Sequence, residues 1–588
     1  MSKPTPKPLA ALLRGSNLLA IEPTPPAENV ALPRRNFIRG AAVGVATLGG
    51  LALSACGGGD GPTAEFRQGV ASGDPLADRV ILWTRATIDA STVTLDWEVA
   101  SDTAFATIVS RGTVSTSAAN DFTAKVDATG LQPNTAYFYR FRSGGNTSVV
   151  GRTRTLPTGP VSRVRLAVFS CSNYPAGFFN VYAEAARRND FDATVHLGDY
   201  LYEYARGQYA SATAAALGRE VLPPNEIVSL SDYRARYAQY RSDADLQALH
   251  AAAPMIAVWD DHEFTNDTWR DGAENHQSAT EGSFAARRAA ALQAYHEWMP
   301  TRVASPEIIY RSFNFGNLVS LHMLDTRLIG RDLQLDYANF TTPTGVNAAG
   351  FAAAVGDPAR QLLGTTQTAW LQQQLTMSSA TWQILGQQVL MGRMNIPAPI
   401  LFEALSPGSG VSIAQYSAIV AKAQTAPATL TLQEQAILAQ PAIPYNLDAW
   451  DGYAAARETV LGIARTLDRN LVVLAGDTHN AWASDLADLA GNQVGVEFAV
   501  SSVSSPGFES IFTTENPAVL AASLEQLIGP LQYTDTARRG YMLVTATPTE
   551  CRCDWVYVNT VASRNYTAVS DRALRTLPGT GNRRIVAV

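Results

Sequence analysis

The spacing of apolar positions changes character once along the folded part of the chain. From about Glu65 to Leu156, apolar and polar residues alternate in short runs; Val80–Thr84, Val93–Val99 and Ala136–Arg142 are rich in β-branched and aromatic residues. Gly130 and Pro133-Asn134 punctuate them, and the pattern predicts an all-β unit of about seven strands. From Arg163 onward the runs become continuously apolar, and each ends in polar, chemically capable residues. Arg165–Phe169 runs into Cys171, Thr194–Leu197 into Asp199, and Met255–Trp259 into Asp260, Asp261, His262 and Glu263. Leu318–Leu324 is followed by Asp325, Thr326 and Arg327, and Leu471–Ala475 by Asp477, Thr478 and His479. Helical spacing covers Phe179–Arg188, Ser283–Glu297 and Trp370–Met377. Buried strands alternating with helices predict an α/β layer architecture, whose sites assemble at strand carboxyl ends. The Ala-, Pro- and Gln-rich stretch Pro397–Pro444 keeps no single period and reads as an insertion.

Within the β unit, Gly130 to Tyr139 resembles the tyrosine corner of fibronectin type III sandwiches, in which a tyrosine at a strand start ties back to the preceding loop. The expected organisation is a signal over 1–56, a linker over 57–64, a β-sandwich over 65–157, a catalytic domain over 163–565 and a C-terminal extension over 566–588. The signal rests on Arg34-Arg35-Asn36-Phe37 preceding an apolar run from Ala41 to Ala55. That run is about five residues short of a bilayer span and reads as a twin-arginine export signal. Leu53-Ser54-Ala55-Cys56 adds a lipoprotein-type cleavage box, which predicts a lipid anchor at Cys56 as the only membrane attachment. The expected location is the periplasm or the cell exterior.

Composition narrows the function. At 588 residues the chain exceeds one ordinary core. A net charge of −7 supplies no basic field for a nucleic-acid partner. Four cysteines are too few for a disulfide framework; Cys551 and Cys553, two apart on a strand, suit core packing.

The chemistry lies at the strand ends. Adjacent carboxylates Asp260 and Asp261 repel each other unless a cation neutralises them, and His262 beside them is placed for proton transfer. Asp199 with Tyr202 three residues on, and Asp477 with His479 two residues on, add oxygen and nitrogen donors from two further places. Carboxylates suit calcium, magnesium or manganese; thiolate, phenolate and imidazole suit iron or zinc. Arg327 and the arginines of Tyr233–Arg241 offer forks that could clamp phosphate, although an ion-paired face serves equally well.

Six ordered motifs resemble the PhoD alkaline phosphatase family: Gly69-Val70-Ala71-Ser72-Gly73-Asp74-Pro75, Ser170-Cys171-Ser172-Asn173-Tyr174, His196 through Glu203, Trp259 through Glu263, Asp325-Thr326-Arg327 and Gly476 through His479. The tyrosine three after Gly-Asp also resembles the ferric ligand of purple acid phosphatases. The resemblance implies a fibronectin-III-like β-sandwich followed by a calcineurin-like αββα phosphoesterase domain, with ferric iron and calcium as cofactors. By the same resemblance Cys171, Asp199 and Tyr202 hold iron, Asp199 bridges to calcium, and Asp261, Asp477 and His479 complete the cluster. The expected activity is hydrolysis of small phosphate esters by a metal-activated hydroxide, with His262 as acid and Arg327 beside it, in a monomer. Phosphodiester or phospholipase-D-like cleavage at the same site is the alternative. A non-catalytic surface binding protein is disfavoured by the intact Asp199, Asp261, His262, Asp477 and His479.

Overall fold

A computed structural model describes residues 63–342, 345–405 and 408–588. The export signal, the box at Cys56 and most of the linker lie outside the described residues. No described helix is long and apolar enough to cross a membrane.

Two sheets form the body. A ten-stranded sheet has at its centre the parallel trio Val164–Phe169, Ala193–His196 and Met255–Ala257. A seven-stranded sheet is built around the parallel set Val319–Met323, Trp382–Gln387, Leu471–Ala475 and Gln493–Ala499. Successive side chains of a strand point to opposite faces, and here both faces are buried. Along Leu471–Ala475, Val472 and Leu474 pack with Leu166, Val168 and Val195 of the opposing sheet. Leu471, Val473 and Ala475 pack outward against Leu371, Leu375 and Leu461 of the helices Gly364–Met377 and Ala454–Thr466. Helices Asn180–Arg188, Leu230–Tyr240 and Phe284–Trp298 contribute Tyr182, Tyr237 and Trp298 to the core around the first sheet. The layering is helix, sheet, sheet, helix, as the buried strand runs require.

The N-terminal unit is a sandwich whose two sheets have different destinations. Ile108–Ser117, Thr92–Ala100, Ala136–Ser143, Asn146–Thr147 and Gly151–Arg154 form a sheet of their own. Val70–Gly73, Arg79–Arg85 and Thr123–Thr129 are the margin of the ten-stranded sheet, joined to it through Gly73 opposite Met255. That approach needs glycine: a Cβ on Gly73 would meet the Pro300 carbonyl oxygen at 2.3 Å and that of Met255 at 2.7 Å. The tyrosine corner is present, Tyr137 Oη accepting the Gln132 N–H at 2.9 Å.

Two further segments complete the fold. Pro397–Pro444 is a helical excursion closed at its base by Asn395–Pro397 pairing antiparallel with Ala442–Pro444. The C-terminal extension adds Ala568–Thr576 outside Cys551–Val558 and returns past the opposite end of the sheets. There Arg583 bonds Asn470 at 3.0 Å, just before the strand Leu471–Ala475 begins. Cys551 and Cys553 are buried and free, as core packing predicts.

Candidate active site

The strand ends of both sheets meet at one edge of the body. Cys171 follows Val164–Phe169, Asp199 and Tyr202 follow Ala193–His196, and Asp260, Asp261 and His262 follow Met255–Ala257. From the second sheet, Arg327 follows Val319–Met323, and Asp477 and His479 follow Leu471–Ala475. Four of these residues occupy the left-handed backbone region: Cys171 at φ 61°, Asp199 at 55°, Asp477 at 60° and His479 at 60°. Such conformations cost an L-residue energy and persist where the surroundings fix them, which is characteristic of functional sites. Gly198, at φ 106°, lets the turn pass under Asp260, where a Cβ would lie 2.3 Å from that residue's own.

The donor atoms fall into overlapping groups in which all members lie within 4.8 Å of one another: Cys171, Asp199 and His479; Asp199, Asp261 and His262; and Asp199, Asp260, Asp261 and Asp477. Asp199 belongs to all three. Asp199 Oδ1, Asp260 Oδ2 and Asp261 Oδ1 are buried and accept no hydrogen bond. Buried carboxylate oxygens left unsatisfied are costly, and a cation between them removes that cost, so the residues present fit a metal cluster.

The two sides of Asp199 differ. On one, the Tyr202 hydroxyl donates to Asp199 Oδ2 at 2.9 Å, lies 3.1 Å from His479 Nε2 and accepts from Ser505 Oγ at 2.7 Å. His479 Nδ1 is 2.9 Å from the Pro506 carbonyl oxygen. Burial pushes the Cys171 thiol and the Tyr202 phenol well up and His479 down to about 3, so all three favour their neutral forms. On the other side, burial lifts Asp199 and Asp477 well above the carboxylate range and Asp260 to about 7. Burial also opposes ionisation of Asp261, but Arg327 and His262 outweigh it and hold that carboxyl at about 2.

His262 Nδ1 lies 2.6 Å from Glu203 Oε2, and its ring centroid is 4.1 Å from that of Tyr202. Burial opposes the imidazolium, yet Glu203, Asp199 and Asp261 outweigh it and raise the pKa well above the ordinary histidine value. Arg327 corrects the expectation of a phosphate clamp. Its side chain is fully buried and turned into carboxylates: Nε donates to Asp260, Nη1 to Asp448 Oδ2 at 2.7 Å and Nη2 to Asp477 Oδ1 at 3.4 Å. Arg234 and Arg236 are likewise occupied within the protein: Arg234 pairs with Glu297 at 2.6 Å, and Arg236 donates to the carbonyls of Tyr202 and Tyr204.

Four positioning groups carried no assigned role in the sequence reading. Glu263 accepts the backbone N–H groups of Asp199 at 3.1 Å, Tyr200 at 2.5 Å and Asp260 at 2.7 Å, fastening two strand-end turns together. Glu203 holds His262. Asp448, just past the base of the excursion, pairs with both Arg327 and Arg331. Tyr209 stacks on Tyr202 at 5.7 Å and comes within 3.3 Å of His479 Nδ1. Glu203 and Glu263 close two of the quoted motifs; Asp448 and Tyr209 lie in irregular segments without a pattern to expose them. The remaining histidines hold structural positions: His196 meets Tyr182, His250 meets Tyr200, His276 pairs with Glu281, His296 meets the Pro306 carbonyl, and His322 joins Ser312 and Gln383.

Comparison with known proteins agrees with this geometry. The PhoD-like phosphatase family matches residues 166–555, and its N-terminal domain family matches residues 54–157. Alkaline phosphatase D of Bacillus subtilis (strain 168) is 35% identical over 557 residues, covering 90% of this chain and 85% of the relative. A solved structure of PhoD superposes with a TM-score of 0.72 at 33% identity, covering 89% of this chain and 92% of that one. With more than half of its length matched and its strand-end cluster intact, the chain belongs to the PhoD-like phosphatase family.

Proposed function

We propose that this phosphoester hydrolase acts on phosphate monoesters as an alkaline phosphatase, with ferric iron held by Cys171, Asp199, Tyr202 and His479 and calcium held by Asp199, Asp261 and Asp477. The observation that carries the reading is the set of buried, unbonded oxygens on Asp199, Asp260 and Asp261, all within reach of one cation. Magnesium or manganese would suit the carboxylates by the same donor chemistry. When bound, the cations supply Lewis-acid polarisation of water and neutralise charge on the phosphoryl oxygens.

The chain's own residues supply the rest. Glu203 engages His262 Nδ1 and keeps the ring protonated, so the proton offered to the leaving alkoxide is the one on Nε2. Arg327 balances Asp260, Asp448 and Asp477 and fixes where the carboxylates point. Ser505 orients the Tyr202 hydroxyl. The rings of Tyr202, Tyr204 and Tyr209 form a largely buried wall that limits water entry. Arg34-Arg35 and the box ending at Cys56 support export by the twin-arginine route, a lipid anchor and work outside the cytoplasm.

The test is hydrolysis of p-nitrophenyl phosphate against bis-p-nitrophenyl phosphate, before and after EDTA and calcium restoration, beside Asp199→Ala. A calcium-restored monoester rate that the variant lacks supports the reading. Faster diester cleavage assigns a phosphodiesterase, and no turnover of either ester by metal-loaded protein contradicts both.

A further inference from the structure

Arg241 follows the helix Leu230–Tyr240 and is fully buried where the N-terminal sandwich meets the catalytic domain. None of its three guanidinium nitrogens meets an acceptor in good hydrogen-bond geometry; the group it approaches is the Tyr200 hydroxyl, which carries no charge to answer its own. The guanidinium lies over the Trp83 ring at 4.0 Å. The acidic residues nearest in sequence are committed elsewhere, Asp243 to Arg219 at 2.7 Å and Asp245 to Arg564 at 2.8 Å. A cation–π contact returns little of what an uncompensated charge loses on leaving water.

Its neighbours share the deficit. His250 Nδ1 is also buried without a partner, and the Ser72 and Tyr139 hydroxyls, which approach each other, have no other partner. Trp83, under the guanidinium, lies in register with Ala71 beside Ser72, and Gln247 of the helix Ala244–Ala252 that carries His250 donates to the Arg241 carbonyl at 2.7 Å, so these groups gather around Arg241, whose charge acts on Tyr139, Tyr200 and His250. Burial and Arg241 hold His250 well below the ordinary histidine pKa, so the ring is neutral. The Tyr200 hydroxyl, 2.8 Å from His250 Nε2, then donates to that atom, and Nδ1 carries the ring's N–H. Arg241 can only donate, and the two hydroxyls and His250 Nδ1 are able to. Water would satisfy such donors but leave the charge; a small anion answers both.

We propose that Arg241, together with Ser72, Tyr139 and His250, holds a monovalent anion of the halide class at the seam between the sandwich and the catalytic domain. Ser72 and Tyr139 come from the two sheets of the sandwich, while Arg241 and His250 come from the catalytic domain. The anion thereby bonds the two units to each other, next to the Tyr200 that follows Asp199.

Two measurements on the metal-loaded, full-length protein test this. Crystals soaked in bromide should give an anomalous peak in contact with the Arg241 guanidinium. In solution, replacing gluconate by chloride at constant ionic strength should raise the thermal midpoint by a constant step per tenfold of chloride above saturation, and Arg241→Gln should abolish that dependence. A water in place of the peak, or a wild-type midpoint indifferent to chloride, overturns the proposal; the crystal result stands even if the variant does not fold.

Discussion

The two sides of Asp199 face the same burial and answer it differently. Cys171, Tyr202 and His479 are neutral groups with partners inside the protein, Cys171 with Ser170 and Tyr202 with Asp199, His479 and Ser505, so that half is comfortable without a cation. Asp260, Asp261 and Asp477 crowd carboxylates into the same interior, and Arg327 and His262 stand against their charge. The first half must shed protons from a thiol and a phenol to bind, which a strongly polarising cation can drive. The second is short of positive charge from the outset and suits a hard divalent ion. That contrast is what the proposal of two unlike cations sharing Asp199 rests on.

Removing the shared ligand should break both halves together. Asp199→Ala should lower kcat/KM on p-nitrophenyl phosphate by at least about 10³-fold, roughly 4 kcal/mol of transition-state stabilisation, with loss of both metals by elemental analysis. Arg327→Met attacks only the carboxylate half. It leaves Asp260 and Asp477 without their counter-charge, while Asp448 keeps Arg331, and should cost about 3–5 kcal/mol in urea unfolding of metal-free protein. A smaller loss once calcium is restored would confirm that the cation and Arg327 balance the same carboxylates.

His262→Asn should lower kcat by about 10²–10⁴-fold while metal content is unchanged; loss of metal would make His262 a ligand instead. Glu203→Gln separates charge from geometry at the same place. His262 is raised in the folded protein, so the stability it contributes is complete below the unfolded value near 6.5 and is lost as pH rises through the folded value. Without the Glu203 charge the folded value falls, and the alkaline limb of the pH–rate profile should move to lower pH. The smallest effect belongs outside the site: Tyr137→Phe removes the acceptor for the Gln132 N–H and should cost about 1 kcal/mol with kcat unaltered.

Much of this was legible because strand ends announce themselves. The apolar runs before Cys171, Asp199, Asp261 and Asp477 stop abruptly at polar residues, and all four converge. The tyrosine corner at Tyr137 was readable from local turn chemistry for the same reason. What stayed hidden depends on pairing between distant segments. Arg327 looks identical in sequence whether it faces phosphate or Asp448, 121 residues away. Nothing in the alternation of Val80–Thr84 says that this strand extends the catalytic sheet, because both destinations bury the same face. The tail's place was decided by Cys551–Val558, which offered an open edge to Ala568–Thr576.

The most direct test of two unlike halves is elemental analysis with visible absorption of the purified protein, Tyr202→Phe and Asp261→Asn. Wild type should contain iron and calcium and show a phenolate-to-iron charge-transfer band. Tyr202→Phe should lose the band and keep calcium, whereas Asp261→Asn should keep the band and lose calcium. Equal loss of both metals from both variants, or a band that survives Tyr202→Phe, would contradict the division at Asp199.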